Sequence, residues 1–483
     1  MKQIAWATFD SYAASLLAIV SIAVVGRVLT PNEIGVFATA SIFVGIATVF
    51  RDFGVSNYLI QLRSINQRDI NAAAFVAQVL AIGASLLIFV LAYPIAQFYS
   101  EPRLVLVLGG LAINLLLLPR ISIVLALLRR DMRFDLLVSV TFFMSLALNA
   151  GTIVFALLGA GFMSMVYGAI LSNVVGLYLS SRKRLVISYK YDKSIIRSIF
   201  SFGVMSTSSN LLRDARSYLN GMVLGKTQGM DVVAYQSKAF SIMALFWGAV
   251  MPGVYSFTLP HFAKEIRGGC DIRAKFLSAT AKTMCVALPV LAFLAVEGDA
   301  LILLLNGPQW GISAEVGRFV PAIYLIGFPL IALVGTLLTA GGYVKDTVKI
   351  QLYSLPPKVA VLLALMYEPL RVFIIYNVLV EMVVESVLFA YHLRHRFCIS
   401  VMEVYRSSLS SYVLTACFAA VIFFSRIVCE GVVENAVMRM AIQGGVGIAV
   451  WFFLIGLFSN PLREDIAGAY VAIRDRIKLG FKR

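Results

Sequence analysis

Long apolar runs separated by short polar stretches recur along the whole chain. A helix needs about 20 apolar residues to cross the ~30 Å hydrocarbon core of a bilayer, and each run reaches roughly that length. About fourteen such runs cover approximately residues 4–27, 34–58, 70–98, 104–128, 136–158, 162–181, 195–224, 232–259, 276–296, 312–340, 348–367, 369–393, 405–428 and 436–458. The pattern predicts an all-α polytopic membrane protein with about 14 transmembrane helices.

The composition agrees with this pattern. Hydrophobic residues make up 60% of the chain and charged residues 14%, whereas about a quarter of a soluble domain is charged. The mean hydropathy is +0.88. The first apolar run is too long for the core of a cleavable signal peptide, so we expect it to remain as the first helix.

The net charge of +16 is better explained by membrane orientation than by nucleic-acid binding. Lys and Arg cluster in alternate loops of the fourteen-helix arrangement, whereas the opposite loops carry few and are acidic near Glu297 and Glu430. This asymmetry follows the positive-inside rule, so both termini are expected in the cytoplasm. The basic loops lie near residues 63–68, 129–133, 182–193, 264–275, 345, 394–396 and 474–483.

Two short motifs resemble catalytic signatures, and neither has the sequence context that its chemistry requires. Asp52-Phe53-Gly54 has the letters of a kinase magnesium motif, but no Gly-rich loop and no His-Arg-Asp loop accompany it. The stretch Asn220–Thr227 ends like a phosphate-binding P-loop, yet it lacks the first glycine and a preceding strand. The five cysteines show no paired spacing. We therefore expect no catalytic residue, no metal and no cofactor.

An internal repeat predicts the domain organisation. The segment "EIGVFATASI" from Glu33 matches "DVVAYQSKAF" from Asp231, an offset of about 200 residues. Such repeats form two lobes around a central cavity in several transporter folds. The expected divisions are an N-lobe of six helices (1–181), a basic cytoplasmic linker (182–194), a C-lobe of six helices (195–393), and two accessory helices with a basic cytoplasmic tail (394–483).

Four stretches carry a family resemblance that covers nearly the whole chain. They are "GRVLTPNEIGVFATA" (26–40), "VFRDFGVSNYLIQ" (49–61), "LLRRDMRFDLL" (127–137) and "LNGPQWG" (305–311). In these stretches the chain resembles the polysaccharide transporter branch of the multidrug/oligosaccharidyl-lipid/polysaccharide exporter superfamily. Relatives commonly have Asp where this chain has Asn220, which leaves cation coupling through that position in doubt.

The resemblance implies a flippase of the bacterial inner membrane. Such a protein turns an undecaprenyl-pyrophosphate-linked oligosaccharide from the cytoplasmic to the periplasmic leaflet by alternating access, for exopolysaccharide or related surface polysaccharide. The implied partners are the lipid-linked oligosaccharide, membrane lipids and the polysaccharide polymerase or export machinery, with no nucleic acid. A drug/cation antiporter of the same superfamily is the alternative, although it would centre on buried carboxylates. A membrane glycosyltransferase or polymerase is disfavoured because the extracytoplasmic loops are short.

Intramembrane cations are the candidate substrate-binding residues, because a pyrophosphate–sugar head needs a cationic, hydrated path through hydrocarbon. In the second span Arg51 is expected roughly 10 Å from the cytoplasmic end, and Arg120 of the fourth span has a similar depth. The alternative for Arg51 is that its side chain reaches up to the lipid headgroups while Asp52 pairs with a neighbouring cation.

The seventh span carries a second group of polar residues. At helical spacing, Ser206, Asn210, Arg213, Ser217 and Asn220 form one stripe, which is expected to line the central cavity; Arg216 lies at its edge, and Asp214 is available to Lys238 of the next helix. The other interpretation is an Arg–Asp network that only holds the seventh and eighth helices together.

Five acidic residues are candidates for ion coupling or for structural ion pairs: Asp10, Asp52, Asp214, Glu381 and Glu385. Glu381 and Glu385 are four residues apart, so they share one face of the twelfth helix. Intramembrane carboxylates can carry coupling protons. Coupling to protons or to sodium stays open at this point.

Overall fold

The architecture is helical throughout the part of the chain that the computed structural model describes. That part is residues 16–457 without 63, 183–186, 270 and 434, and it leaves out the side chains of residues 205, 206, 208–210 and 213. Among the candidate residues, Asp10 lies outside the described residues, and Asn210 and Arg213 lie outside the described side chains, as does Ser206 of the predicted stripe.

The helices are α1 (Leu16–Val28), α2 (Pro31–Asp52), α3 (Val55–Gln61), α4 (Gln67–Tyr99), α5 (Arg103–Arg130), α6 (Phe134–Leu157), α7 (Met163–Ser181), α8 (Lys193–Thr227), α9 (Met230–Ala249), α10 (Met251–Arg267), α11 (Ile272–Asn306), α12 (Gly311–Gly317), α13 (Phe319–Ile331), α14 (Val334–Ala340), α15 (Val344–Leu365), α16 (Leu370–Phe397), α17 (Val401–Val432) and α18 (Ala436–Leu457). A short 3₁₀ helix, Pro308–Trp310, precedes α12.

The prediction of a polytopic helical membrane protein is confirmed. Within the described ranges, 11 helical segments are long and apolar enough to cross a membrane, or 12 when the bent pair α9–α10 is taken as one span. The other two predicted spans correspond to α1, of which the structure describes residues 16–28, and to α8, whose charged residues lower its hydropathy. The count of fourteen stays a prediction.

Capping side chains mark several helix starts. Thr30 and Glu33 form a capping box at α2, and Ser400 and Glu403 form another at α17; each box satisfies two backbone N–H groups that a helix start leaves without partners. Asp192 caps α8, and the hydrogen bond from the Ser194 hydroxyl holds the pKa of the Asp192 carboxyl below its usual range.

By packing, the chain divides into two compact units. Unit 1 comprises residues 1–237 together with 305–309, and unit 2 comprises residues 238–304 and 310–483. The predicted lobe boundaries follow the internal repeat instead of packing, and they stay a prediction.

Each unit has its own apolar core. In unit 1, buried side chains of α2, α4, α5 and α7 meet, among them Val36, Leu108 and Val166. In unit 2, Leu414 and Phe418 of α17 pack with α11 and α18. Small residues such as Ala40, Ala92 and Ala112 recur in the unit 1 cluster, which permits the close helix approach that membrane packing requires.

Two spans are broken. The second span stops at Asp52 and resumes at Val55 as α3. The span that begins at Met230 bends by 44° between α9 and α10. Interruptions of a helix have local causes, which differ between these two breaks.

Candidate functional site

The break between α2 and α3 lies at the sequence Asp52-Phe53-Gly54. Phe53 has φ 33° and Gly54 has φ 68°, so two consecutive residues adopt the left-handed region. Glycine takes this conformation at no steric cost, whereas a side chain such as that of Phe53 costs about 1–2 kcal/mol there. The kinase-like letters therefore serve to interrupt a membrane helix.

Helix α8 packs directly against the break. The ring of Phe53 lies 5.0 Å, between centroids, from the ring of Phe200. A Cβ atom at Gly203 would overlap the ring and the carbonyl oxygen of Phe53. Because only glycine leaves room there, position 203 lets α8 cover the break and hold Phe53 in its strained conformation.

Arg51 is the charged centre of the site. Arg51 is 7% exposed, and its Nη2 donates a hydrogen bond to the Asp52 carboxylate. Nε and Nη1 are buried and have no hydrogen-bond partner among the residues that the structure describes. A guanidinium has five N–H donors and no acceptor. Donors that are buried without a hydrogen bond cost free energy, and a bound anion would remove that cost. The negative end of the α2 dipole offsets part of this cost, because Arg51 lies in the last turn.

A cavity of about 10 Å³ adjoins the guanidinium. This volume holds about one water molecule and is too small for a phosphate group. The lining residues come from the break and from the neighbouring α4 and α5: Arg51, Asp52, Val55, Ser56, Ala77, Pro119, Ser122 and Ile123. The site as it stands is closed.

Two further arginines lie on α5, which lines part of this cavity. Arg120 follows the cavity residue Pro119, and its Nε is buried without a hydrogen-bond partner in the part of the chain that the structure describes. Arg130 donates from Nη1 to the carbonyl oxygens of Leu59 (2.7 Å) and Ile60 (3.2 Å). Arg130 thus caps the carboxyl end of α3, a role that its place in a basic loop did not reveal.

The described candidates of α8 are partly buried. Asp214 and Arg216 both have interaction partners, and the Ser217 hydroxyl donates to the Asp214 carbonyl (2.8 Å). Asn220 is 6% exposed, and its side-chain oxygen has no hydrogen-bond partner. Lys238, in α9, places its ammonium 5.2 Å from the centre of the Trp310 ring, a cation–π contact. The expected Asp214–Lys238 pair and the cavity-lining stripe stay predictions.

The candidates Glu381 and Glu385 lie on α16 in unit 2. Glu381 forms an ion pair with Lys358 of α15, with 3.0 Å between Nζ and Oε2. Lys358 was absent from the sequence prediction because a single lysine in an apolar run does not reveal whether it faces a carboxylate. Glu385 also has an interaction partner.

Other ion pairs of unit 2 connect helix ends. Arg426 of α17 binds both carboxylate oxygens of Asp299 on α11, at 2.8 and 2.9 Å. Arg396 of α16 donates to Asp346 of α15 at 2.7 Å. Among the residues that the structure describes, no three His, Cys, Asp or Glu side chains are placed to hold a metal ion.

Comparisons with known proteins agree with the fold. Residues 24–315 match the family model described as polysaccharide biosynthesis protein. The teichuronic acid biosynthesis protein TuaB of Bacillus subtilis (strain 168) is 23% identical, over 93% of this chain and 94% of that protein.

Two solved structures share the architecture. The lipid II flippase MurJ, in an inward closed conformation, has a TM-score of 0.75 and 12% identity, over 96% of this chain and 100% of that chain. A multidrug resistance MATE family transporter of the MOP superfamily, facing inward, has a TM-score of 0.65 and 17% identity, over 80% and 94%. At these identities the structural likeness shows the fold alone.

Proposed function

Because the chain belongs to the polysaccharide biosynthesis protein family, we propose that it is a flippase for lipid-linked oligosaccharide, of the polysaccharide transporter branch of the multidrug/oligosaccharidyl-lipid/polysaccharide exporter superfamily. The substrate is an undecaprenyl-pyrophosphate-linked repeat unit, which the protein moves across the bacterial inner membrane by alternating access. No bond of the substrate is made or broken, so the protein acts as a transporter and not as an enzyme. Both termini lie in the cytoplasm, and the exported units go to the polysaccharide polymerase or export machinery.

The observation that supports this proposal is the state of Arg51. A buried guanidinium with unmet donors, next to a helix break, suits an anionic group that arrives and leaves. Arginine is suited to phosphate because its planar fork can donate two parallel hydrogen bonds. A cationic substrate, such as that of a drug/cation antiporter, would be repelled by this guanidinium.

Loading requires the site to open. The present cavity next to Arg51 holds about one water molecule, so a pyrophosphate enters only when the α2–α3 break changes conformation. The two left-handed residues Phe53 and Gly54 are the joint at which α3 turns away from α5. Arg120, Asn210, Arg213, Arg216 and Lys238 are proposed as later contacts for the phosphates and sugars along the path.

The test uses a deletion strain complemented with variants of the full chain. Arg51→Gln should lower polymer export about tenfold or more, since a hydrogen bond to a charged group contributes about 1.5–3 kcal/mol, and lipid-linked oligosaccharide should accumulate on the cytoplasmic leaflet. Arg51→Lys should retain part of the export because a point charge still attracts phosphate. Immunoblots must show equal protein abundance.

Arg129→Gln is the matched control, because Arg129 is an exposed arginine at the cytoplasmic end of α5. It should export polymer like the wild type. Full export by Arg51→Gln would remove Arg51 from the substrate path. Normal polymer in the deletion strain, together with altered drug sensitivity, would favour the antiporter over the flippase.

A further inference from the structure

The ion pair between Lys358 and Glu381 joins two adjacent membrane helices of unit 2. Nζ of Lys358 lies 3.0 Å from Oε2 of Glu381, and the two side chains are 4% and 22% exposed. Charged groups are costly to bury and persist inside membranes mainly where they pair or where they serve function. The pair therefore calls for an explanation beyond helix packing.

The surroundings of the pair offer little other charge. Helices α13 and α14, which pack against α15 and α16, carry no charged residue. Helix α12 contributes Glu315, which pairs with Arg371 at 3.0 Å. The remaining charged or titratable groups lie on α13, α15 and α16 or, for Tyr343, at the N-cap of α15. They are Tyr324, Tyr343, Lys345, Asp346, Lys349, Tyr353, Tyr376, Glu385, Tyr391, His392, Arg394, His395 and Arg396.

Four of those groups form a separate cluster. Asp346 binds Arg396, with His392 and Lys349 also within 4.0 Å of its carboxylate, where α15 begins and α16 ends. Asp346 is three helical turns from Lys358 along α15, and Glu385 is one turn from Glu381 along α16. Among the other charged groups of α15 and α16, Glu385 is thus the nearest to the pair along the chain.

A buried amide next to the pair lacks its own partners. Asn377 is 2% exposed, and neither its side-chain oxygen nor its side-chain nitrogen makes a hydrogen bond to the described part of the chain. It lies four residues before Glu381, on the same face of α16. Buried amides are almost always hydrogen-bonded, so the side chain of Asn377 can accept a hydrogen bond from a group that moves towards it.

We propose that Glu381 is the binding site for the proton that drives flipping, with Lys358 as its fixed counter-cation. The inference rests on the proposed flippase function. A proton from water adds to the Glu381 carboxylate and breaks the ion pair without breaking a covalent bond. The ammonium of Lys358 is then left buried and unpaired, and it turns to the side-chain oxygen of Asn377 as the α15–α16 hairpin rearranges.

The resident ammonium also decides between the candidate coupling ions. A sodium ion at Glu381 would have to bind a carboxylate whose Oε2 already lies 3.0 Å from the buried ammonium of Lys358, and two like charges that share one carboxylate repel strongly in a low dielectric. A proton neutralises the carboxylate itself and needs no additional ligands. The site therefore selects protons over sodium.

The first test is made on the purified full-length protein in detergent, by thermal unfolding between pH 4 and pH 8. Protonation of Glu381 removes the ion pair, so the wild type should lose stability as the pH falls, more steeply than the apolar double variant Lys358→Met/Glu381→Leu. Equal pH dependence of the two proteins would overturn the proposal. This measurement involves no transport, so it stands or falls independently of the flippase function.

The second test measures polymer export with Arg51 intact. The double variant should be as abundant and as stable at pH 8 as the wild type, yet export at least tenfold less polymer, and the remainder should not respond to a proton uncoupler. Export restored to the wild-type level would show that the pair only holds α15 and α16 together. The exposed pair in the double variant Arg371→Gln/Glu315→Gln is the matched control and should leave export and its uncoupler response unchanged.

Discussion

The two broken spans differ in how the chain interrupts a helix. The α2–α3 break uses two left-handed residues, Phe53 and Gly54, and places the charged pair Arg51–Asp52 beside them. The α9–α10 bend occurs at Val250, with Pro252 in the first turn of α10. The two breaks are separated by about 200 residues, close to the offset of the internal repeat.

Aromatic packing replaces charge at the second break. The ring of Phe246 lies 5.4 Å from that of Phe328, and Trp247 lies 5.8 Å from the same ring, centroid to centroid. Proline cannot donate to the preceding turn, which explains the bend without a left-handed residue. Two positions at the spacing of the predicted repeat therefore share an interrupted helix but not its chemistry, and the buried pair of unit 2 lies instead on α15 and α16.

The largest contrast between the two breaks should be in side-chain packing. Phe246→Ala should lower the free energy of unfolding by about 3–5 kcal/mol, because the ring is fully enclosed and its loss leaves a cavity. Phe53→Ala should cost only about 1–2 kcal/mol, because its ring is half-buried. Thermal unfolding of both variants in detergent measures the difference, and a costlier Phe53→Ala would reverse the comparison.

The next contrast is steric. Gly203→Ala should destabilise unit 1 by about 1–3 kcal/mol, since the new methyl group overlaps the ring and carbonyl of Phe53. Gly248→Ala, in α9, meets no atom within 4 Å and should stabilise its helix by up to about 1 kcal/mol. Changes of opposite sign in the melting temperatures of the two variants would support this contrast. Equal signs would mean that the first break is not sterically closed.

The smallest contrast concerns the backbone. Gly54→Ala should cost about 1–2 kcal/mol because alanine is strained at φ 68°. Pro252→Ala should stay within about 0.5 kcal/mol of the wild type, because the regained N–H donor offsets the greater freedom of the unfolded chain. Chemical unfolding resolves the two values, and a neutral Gly54→Ala would show that the break does not depend on its left-handed glycine.

The sequence predicted the membrane spans well because hydropathy over twenty residues is a local property. The second span was predicted to be continuous, however, because the hydropathy of a run carries no information about the sign of φ at Phe53. The Lys358–Glu381 pair was half predicted: helical spacing placed Glu381 inside the membrane, but its partner is 23 residues away, and only tertiary packing identifies it. The unmet donors of Arg51 were likewise invisible, because they depend on what surrounds the side chain.

Residues 305–309 have a consequence for biogenesis. They complete unit 1, yet the ribosome makes them about seventy residues after residue 237, or about 4–14 s later at about 5–20 residues per second. Until then the carbonyl oxygens of Gly26 and Leu29 lack the side-chain amide of Gln309 that binds them. The N-terminal unit therefore matures only after much of α11 has been inserted, and a polypeptide that ends at residue 237 would leave the translocon with this contact still missing.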